Sequence, residues 1–189
     1  MASDINQNTG QAPVIAIMRP EMYLDESVTQ AQGYGFETFS APMIEIEDKK
    51  DDGFDDFVHR VIERISDYVI FTSANGIDFT LRKIPDDSKQ RFLTALNNTN
   101  VVAIGPNTQK ALTNAGIICM DLPGSYSSEG VVDYLGPHVN GKIVDIARSS
   151  YGSDYLISGL IDNGATVFET QVYTLNIPDN ITQKNLIRC

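Results

Sequence analysis

Three stretches of this chain gather the side chains best able to handle an oxygen-rich ligand. Thr72-Ser73-Ala74-Asn75-Gly76 follows the apolar run "YVIF". Gly105-Pro106-Asn107-Thr108 follows "VVAI", and Arg148-Ser149-Ser150-Tyr151-Gly152-Ser153 follows "KIVDIA". Each is small and hydroxyl- or amide-bearing, with glycine beside it, and each turns into a helical pattern. Free N–H groups at the start of a helix hold anionic oxygens, and glycine lets a ligand approach the backbone. The same residue types also serve as ordinary turn and cap chemistry. None of the three is a nucleotide fingerprint: there is no G-x-x-x-x-G-K-[ST] and no G-x-G-x-x-G.

The elements that must position these turns alternate strand and helix. "VIAIM" (14–18) reads as a strand, followed by a short helix over "DESVTQAQGYG" and an extended segment, 36–47, with a proline at 42. Phe54, Phe57, Val58, Val61, Ile62 and Ile65 fall on one face of a helix. Asp51, Asp52, Asp55 and Asp56 crowd its first turns, where the helix dipole favours negative charge. The pattern predicts strands over 68–72, 100–104, "IICMDL" (117–122), 142–147 and 166–175. It predicts helices over 75–84, 87–97, from Pro106 to Gly116, 127–136 and 152–164. Pro106 suits a first helical position, and the 127–136 helix opens on a serine cap candidate. Helix, glycine, strand recurs in "QGYGFETF", "TNAGIICM" and "DNGATVFE", glycine closing each helix in the left-handed conformation. About seven strands in repeated βα units make an α/β fold with a mostly parallel sheet and helices on both faces. Ligands in such sheets bind beyond the carboxyl ends of the strands, where all three turns fall.

The bulk numbers narrow the partners. The net charge is −11 over 189 residues, which argues against a nucleic-acid binder; an anionic ligand needs a local site. Apolar runs of a few residues fall far short of the ~20 of a membrane helix, and the chain does not open on a secretory leader. Two cysteines, Cys119 and Cys189, do not make a disulfide framework, so a cytoplasmic protein fits; Cys119 reads as a core residue in its strand. His59, in a helix, and His138, in a loop, do not make a metal site. Residues 1–12 read as a disordered arm or an appended remnant.

In this order, "VIFTSANGI", "AIGPNTQKAL", "GSYSSEGVVDYL", "KIVDIARSSYGSDYLISGLIDNGATV" and "VYTL", with "VIAIMRP" before them, resemble the uroporphyrinogen-III synthases over residues 14 to about 175. The resemblance implies two flavodoxin-like parallel-sheet domains joined by a two-stranded linker, "FSAPMIEIE" and "VYTLNIPD", with substrate in the cleft between them. Residues 13–42 and 174–189 would belong to the first domain and 43–173 to the second. The family's returning portion carries a further "FTS"-like turn and a further "GPxT"-like turn. These 189 residues hold neither, so the first domain is expected to be incomplete in this chain. Residues 181–189 read as the first helix of the returning portion.

The implied reaction closes hydroxymethylbilane, a linear tetrapyrrole polycarboxylate, with loss of water and inversion of the last pyrrole ring. It belongs to tetrapyrrole biosynthesis (haem, sirohaem, cobalamin). It proceeds through a cationic azafulvene and a spiro intermediate, without metal or organic cofactor, and the family implies a monomer. Because free bilane cyclises unaided without inversion, the enzyme mainly has to hold one folded conformation. The resemblance makes Tyr173 the tyrosine facing the departing hydroxyl and Thr108 a cleft threonine. It makes Thr72, Ser73, Asn75 and Ser128 binders of the carboxylate arms. Arg148 becomes a bidentate carboxylate partner, and Arg19, after the first strand, serves from the other lobe. The competing expectation is a non-catalytic tetrapyrrole-binding or regulatory relative. A receiver-like domain fits poorly: Asp145 lies inside its strand and no acidic pair follows the first strand.

Overall fold

The computed structural model describes residues 12–178, which fall into two compact units. The first comprises residues up to Ile46 and from Asn176 on, the second Glu47–Leu175. Residues 1–11 of the expected arm, and 179–189, lie outside the described residues.

In the first unit β1 (Val14–Ile17) pairs in parallel with β2 (Glu37–Ser40), Val14 opposite Glu37 and Ile17 opposite Ser40. Between them run a 3-10 turn, Glu21–Tyr23, and α1 (Leu24–Gly33). The extended segment 36–47 is two strands, because the stretch around Pro42 separates β2 from β3 (Glu45–Asp48).

The second unit is built on one sheet. Its strands are β4 (Tyr68–Phe71), β5 (Asn100–Ala103), β6 (Ile143–Ser149) and β7 (Thr166–Asn176), with β3 at its rim, in the order β3-β7-β6-β4-β5. β4 pairs in parallel with β5 and β6, and β6 with β7. Every residue of β4 is buried, as a continuous apolar run in a sheet covered on both faces requires. On one face Tyr68, Ile70, Val102, Val144 and Ile146 pack with Val131, Val132 and Leu135 of α6 (Ser128–Leu135) and with Leu156 and Leu160 of α7 (Asp154–Asp162). On the other lies α2 (Phe54–Ile62), whose Arg60 reaches Asp145 of β6. Phe57 of α2 meets Phe92 of α4 (Asp86–Leu96) edge-on, ring centroids 5.9 Å apart. Both phenylalanines are fully buried, a gain of about 1.5–3 kcal/mol each from area removed from water. The α/β class with parallel pairing is the one expected from the alternating pattern.

The three helix–glycine–strand junctions form as the sequence implies: Gly35, Gly116 and Gly164 adopt φ of +84°, +73° and +88°. Three expectations fail. Residues 117–122 are not a strand. Asn97 takes their first peptide groups instead, accepting from the Ile118 amide and donating to the Gly116 carbonyl. Only Met120 N–H reaches β5, at the Val101 carbonyl. Ile118 is exposed and Cys119 only half-buried, so Cys119 is not a core strand residue. The helix expected to carry Ile65 stops at Ile62; Arg64 turns into φ +58°, and Ile65 is exposed. His138 sits in a 3-10 turn, Gly136–His138, rather than a loop.

Candidate active site

The turns after β4, β5 and β6 lie at the carboxyl edge of the second unit's sheet. After β4, the chain enters α3 (Ala74–Lys83) with Ser73 as its N-cap, in extended conformation. The Ser73 hydroxyl accepts the Gly76 N–H at 3.0 Å, so serine satisfies a donor the helix leaves open. Gly76 packs so closely on β6 that a Cβ there would lie 3.2 Å from the Ala147 carbonyl oxygen. Thr72 and Asn75 flank Ser73, both half-buried.

After β5, α5 (Pro106–Asn114) starts with Pro106 and with Gly105 as its N-cap. Thr108, in the first turn, is only 3% exposed. Its hydroxyl makes no internal hydrogen bond among the described residues, yet it keeps contact with solvent. Capping therefore does not account for this threonine. At α6 the cap is Ser127, whose hydroxyl accepts the Gly130 N–H at 3.2 Å. Ser128 is the first helical residue beside it. The exposed Glu129 carboxyl is held below its ordinary value, first by its own N–H and then by the Ser127 hydroxyl.

Tyr173 reaches this edge through an irregularity in β7. Up to Arg148–Gln171 the register with β6 is one for one; then Ser149 pairs with Tyr173. Val172 is thus a bulged residue. Before the bulge, Glu169 and Gln171 stand on the face where Glu169 meets Arg148. By simple alternation Tyr173 would follow them. The extra residue turns it to the opposite face, where its ring stacks on Phe79 of α3 (centroids 5.6 Å apart, planes 19° apart). Its hydroxyl lies 2.9 Å from Ser73 Oγ. The Val172 carbonyl, out of step with the ladder, accepts Lys83 Nζ at 2.5 Å and the Lys49 N–H at 3.3 Å. Lys83 also pairs with Asp48. Phe79 and Lys83 carry no sequence signal beyond a helical face and a basic last turn; only the fold brings them to Tyr173.

Arg148 lies at the end of β6, ahead of the next turn. Its side chain is 4% exposed and bound internally. Nε donates to Glu169 Oε1 at 2.6 Å and Nη1 to the Ser153 carbonyl at 2.6 Å. A Cβ on Gly152 would lie 2.3 Å from Nη1, so the loop is wrapped on the guanidinium. Arg148 braces the turn after β6, and its Nη2 lies 3.8 Å from Oδ1 of the exposed Asp154. That turn is also tied to β7 by Ser150, whose N–H donates to the Tyr173 carbonyl and whose hydroxyl lies 2.8 Å from Thr174 Oγ1. In the first unit Arg19 is exposed, donating to Ser27 Oγ at 2.9 Å and lying over the Tyr23 ring. Among the described residues no group of three or more His, Cys, Asp or Glu is placed to hold a metal, and no helix is long and apolar enough to cross a membrane.

A parallel sheet with capped helix starts, an unpartnered threonine hydroxyl and a re-aimed tyrosine at its carboxyl edge describes an α/β protein with a polar sheet edge. Comparison with known proteins makes this specific. The sequence profile of the family described as uroporphyrinogen-III synthase HemD matches residues 25–188. This chain belongs to that family.

Two archaeal proteins, each named "Putative uroporphyrinogen-III synthase", are similar to it. The one from Methanothermobacter thermautotrophicus is 26% identical over 168 residues, 88% of this chain and 64% of that protein. The one from Archaeoglobus fulgidus is 35% identical over 78 residues, 41% of this chain and 32% of that protein. Among solved structures, a mutant uroporphyrinogen III synthase of the extremely thermophilic bacterium Thermus thermophilus superposes with a TM-score of 0.65 at 18% identity, over 89% of this chain and 64% of that one. The uroporphyrinogen-III synthetase of Helicobacter pylori gives 0.56 at 15% identity, over 93% and 66%. These structural likenesses show the fold. The chain spans about two-thirds or less of the length of these relatives.

Proposed function

We propose that this chain carries the second-domain half of a uroporphyrinogen-III synthase site, acting in tetrapyrrole biosynthesis. The substrate is hydroxymethylbilane, closed with loss of water and inversion of the last pyrrole ring. The observation that carries the reading is the placement of Tyr173. Its phenol sits at the carboxyl edge of the sheet, re-aimed by a bulge and held by Ser73 and Phe79. A lone phenol supplies a hydrogen bond to the departing hydroxyl and little else. That suits a reaction needing conformational control more than strong acid–base power.

The carboxylate arms belong, on this reading, at the starts of α3, α5 and α6. Thr72 and Asn75 serve at the first, Thr108 at the second and Ser128 at the third. Backbone N–H groups and the helix dipole there supply positive potential that an acidic chain otherwise lacks. Arg148 acts by bracing the turn that carries Ser150. The protein works without a metal or organic cofactor, as a monomer in the cytoplasm.

The test is a product-isomer assay on the 189-residue chain and on the longest open reading frame that contains it. Fresh hydroxymethylbilane is supplied, the products are oxidised, and isomers I and III are separated. Isomer III, lost on Tyr173→Phe with the circular dichroism spectrum unchanged, supports the reading. Isomer I alone from both chains, with tight binding of the tetrapyrrole, would move the function to a non-catalytic tetrapyrrole-binding relative.

A further inference from the structure

Lys83 ends α3, and its side chain is only 6% exposed. A lysine in the last turn of a helix ordinarily keeps its ammonium in water and buries the stem alone. Here the head is buried too, and its acceptors give the reason. Nζ donates to the Val172 carbonyl at 2.5 Å and to the Phe79 carbonyl at 3.2 Å, and it pairs with the Asp48 carboxylate. An ammonium has three protons to give, and these three groups take them all. The rings of Phe54 and Phe79 flank it, their centroids 5.8 and 5.3 Å from Nζ. Asp48 is 61% exposed, so a lysine reaching into solvent would serve it as well. Val172 is fully buried, and only a buried ammonium reaches its carbonyl.

We infer that Lys83 is a positioning residue for Tyr173; its bearing on the reaction rests on the role proposed for that tyrosine. Val172 is the extra residue of β7 and stands directly before Tyr173. A bulged residue is left out of the regular ladder, and its buried carbonyl needs a donor from elsewhere. The Lys49 N–H is 3.3 Å away, and the ammonium, at 2.5 Å, is nearer. Being charged, it also makes the stronger bond. The same ammonium lies over the Phe79 ring, on which the Tyr173 ring stacks. Three points of α3 therefore hold the tyrosine. Lys83, in the last turn, takes the carbonyl before it; Phe79 takes the ring; and the cap, Ser73, has its Oγ 2.9 Å from the phenol oxygen. With the main chain fixed near one end of the helix and the hydroxyl at the other, the side chain lies along α3. Among these contacts Lys83 alone grips the main chain, so it fixes where the ring starts from.

The experiment is NMR of the protein with isotope-labelled tyrosine rings. The Tyr173 ring signal is the one absent from Tyr173→Phe. Stacking on Phe79 shields it, and Phe79→Leu marks its unstacked position. In the unaltered chain the signal should lie upfield of that mark. Lys83→Met, similar in length but without donors, should move it at least halfway there. Lys83→Gln, whose amide stops a bond short of the Val172 carbonyl, should do the same and keeps a polar head where methionine disturbs folding. Lys83→Arg, which keeps charge and donors, should hold the signal closer to its original place than either. Asp48→Asn should leave it in place, because both carbonyl contacts remain. On the chain that forms isomer III, Lys83→Met and Lys83→Gln should lower kcat roughly ten-fold with KM within about two-fold. A signal unmoved in both Lys83→Met and Lys83→Gln overturns the inference, and so does one moved as far by Asp48→Asn. The NMR readout needs no turnover. A moved signal, with isomer III absent from every chain or made at full rate by Tyr173→Phe, would keep Lys83 as the anchor and remove the proposed role of Tyr173. Isomer III lost in Tyr173→Phe, with the signal unmoved by the Lys83 variants, would remove Lys83 alone.

Discussion

Replacing Arg60 by methionine should cost this protein a large part of its stability. Asp145 is fully buried in the middle of β6, and its carboxylate is held by a small set of donors. Arg60 Nε lies 3.1 and 3.2 Å from the two carboxylate oxygens and Nη2 lies 2.6 Å from Oδ1. Ser66 Oγ donates at 2.6 Å. The guanidinium also sits 4.0 Å over the Phe168 ring. Removing Arg60 leaves a negative charge in the sheet with one hydroxyl for company. Stranding one member of a buried pair costs about 3–5 kcal/mol. The whole stability of a typical domain is about 5–15 kcal/mol. For a chain of this length each kcal/mol moves the midpoint by roughly 2–4 °C, so a fall of about 10 °C is expected. Urea denaturation followed by circular dichroism measures the loss directly. The triple variant Arg60→Met/Ser66→Ala/Asp145→Val removes the charge with its partners and should regain most of it, since replacing a whole buried ionic cluster by apolar groups is near neutral. A loss below about 1 kcal/mol in Arg60→Met, the range of an exposed pair, would refute the reasoning. So would a triple variant as unstable as the single one.

Three further outcomes follow from particular groups. The Thr170 hydroxyl is the one fully buried side-chain polar atom without a partner among the described residues, so Thr170→Val should raise stability by about 1 kcal/mol; a lower urea midpoint would show an unseen partner. The Asp67 carboxyl is held below its ordinary value, chiefly by the Ile143 N–H, with Lys142 assisting. A depressed carboxylate contributes stability above its unfolded value, and that contribution is lost as pH falls through the folded value. Asp67→Asn should therefore flatten the acid limb of the stability–pH curve below pH ~4, and an unchanged limb would remove Asp67 as a cause. Thr108→Val should leave stability within about 0.5 kcal/mol while lowering isomer III kcat/KM roughly ten-fold, the worth of one hydrogen bond to a charged group; the opposite pattern would make Thr108 a packing residue only.

The sequence by itself determined what local rules can carry. Continuous apolar runs announced buried parallel strands, as in β4, where every residue is buried. Glycines after helices announced left-handed closures, and Gly116 and Gly164 take them. The ordered turns announced the family and placed Thr72, Ser73 and Thr108 at strand ends. Cap chemistry was legible too: the serine that opens the 127–136 segment, Ser127, takes the Gly130 amide at the start of α6.

Tertiary structure decided the rest, because it turned on neighbours distant in sequence. The run 117–122 has a strand's composition, yet Asn97, some twenty residues earlier, captures its first peptide groups. Arg148 meets Glu169 only because β7 lies beside β6. Above all, the face that Tyr173 occupies depends on a single extra residue in β7 relative to β6. A period-two pattern read along one strand cannot show where its partner skips a residue, and one skip reverses every side chain beyond it. That reversal is what carries the phenol away from Arg148 and onto α3, beside Ser73.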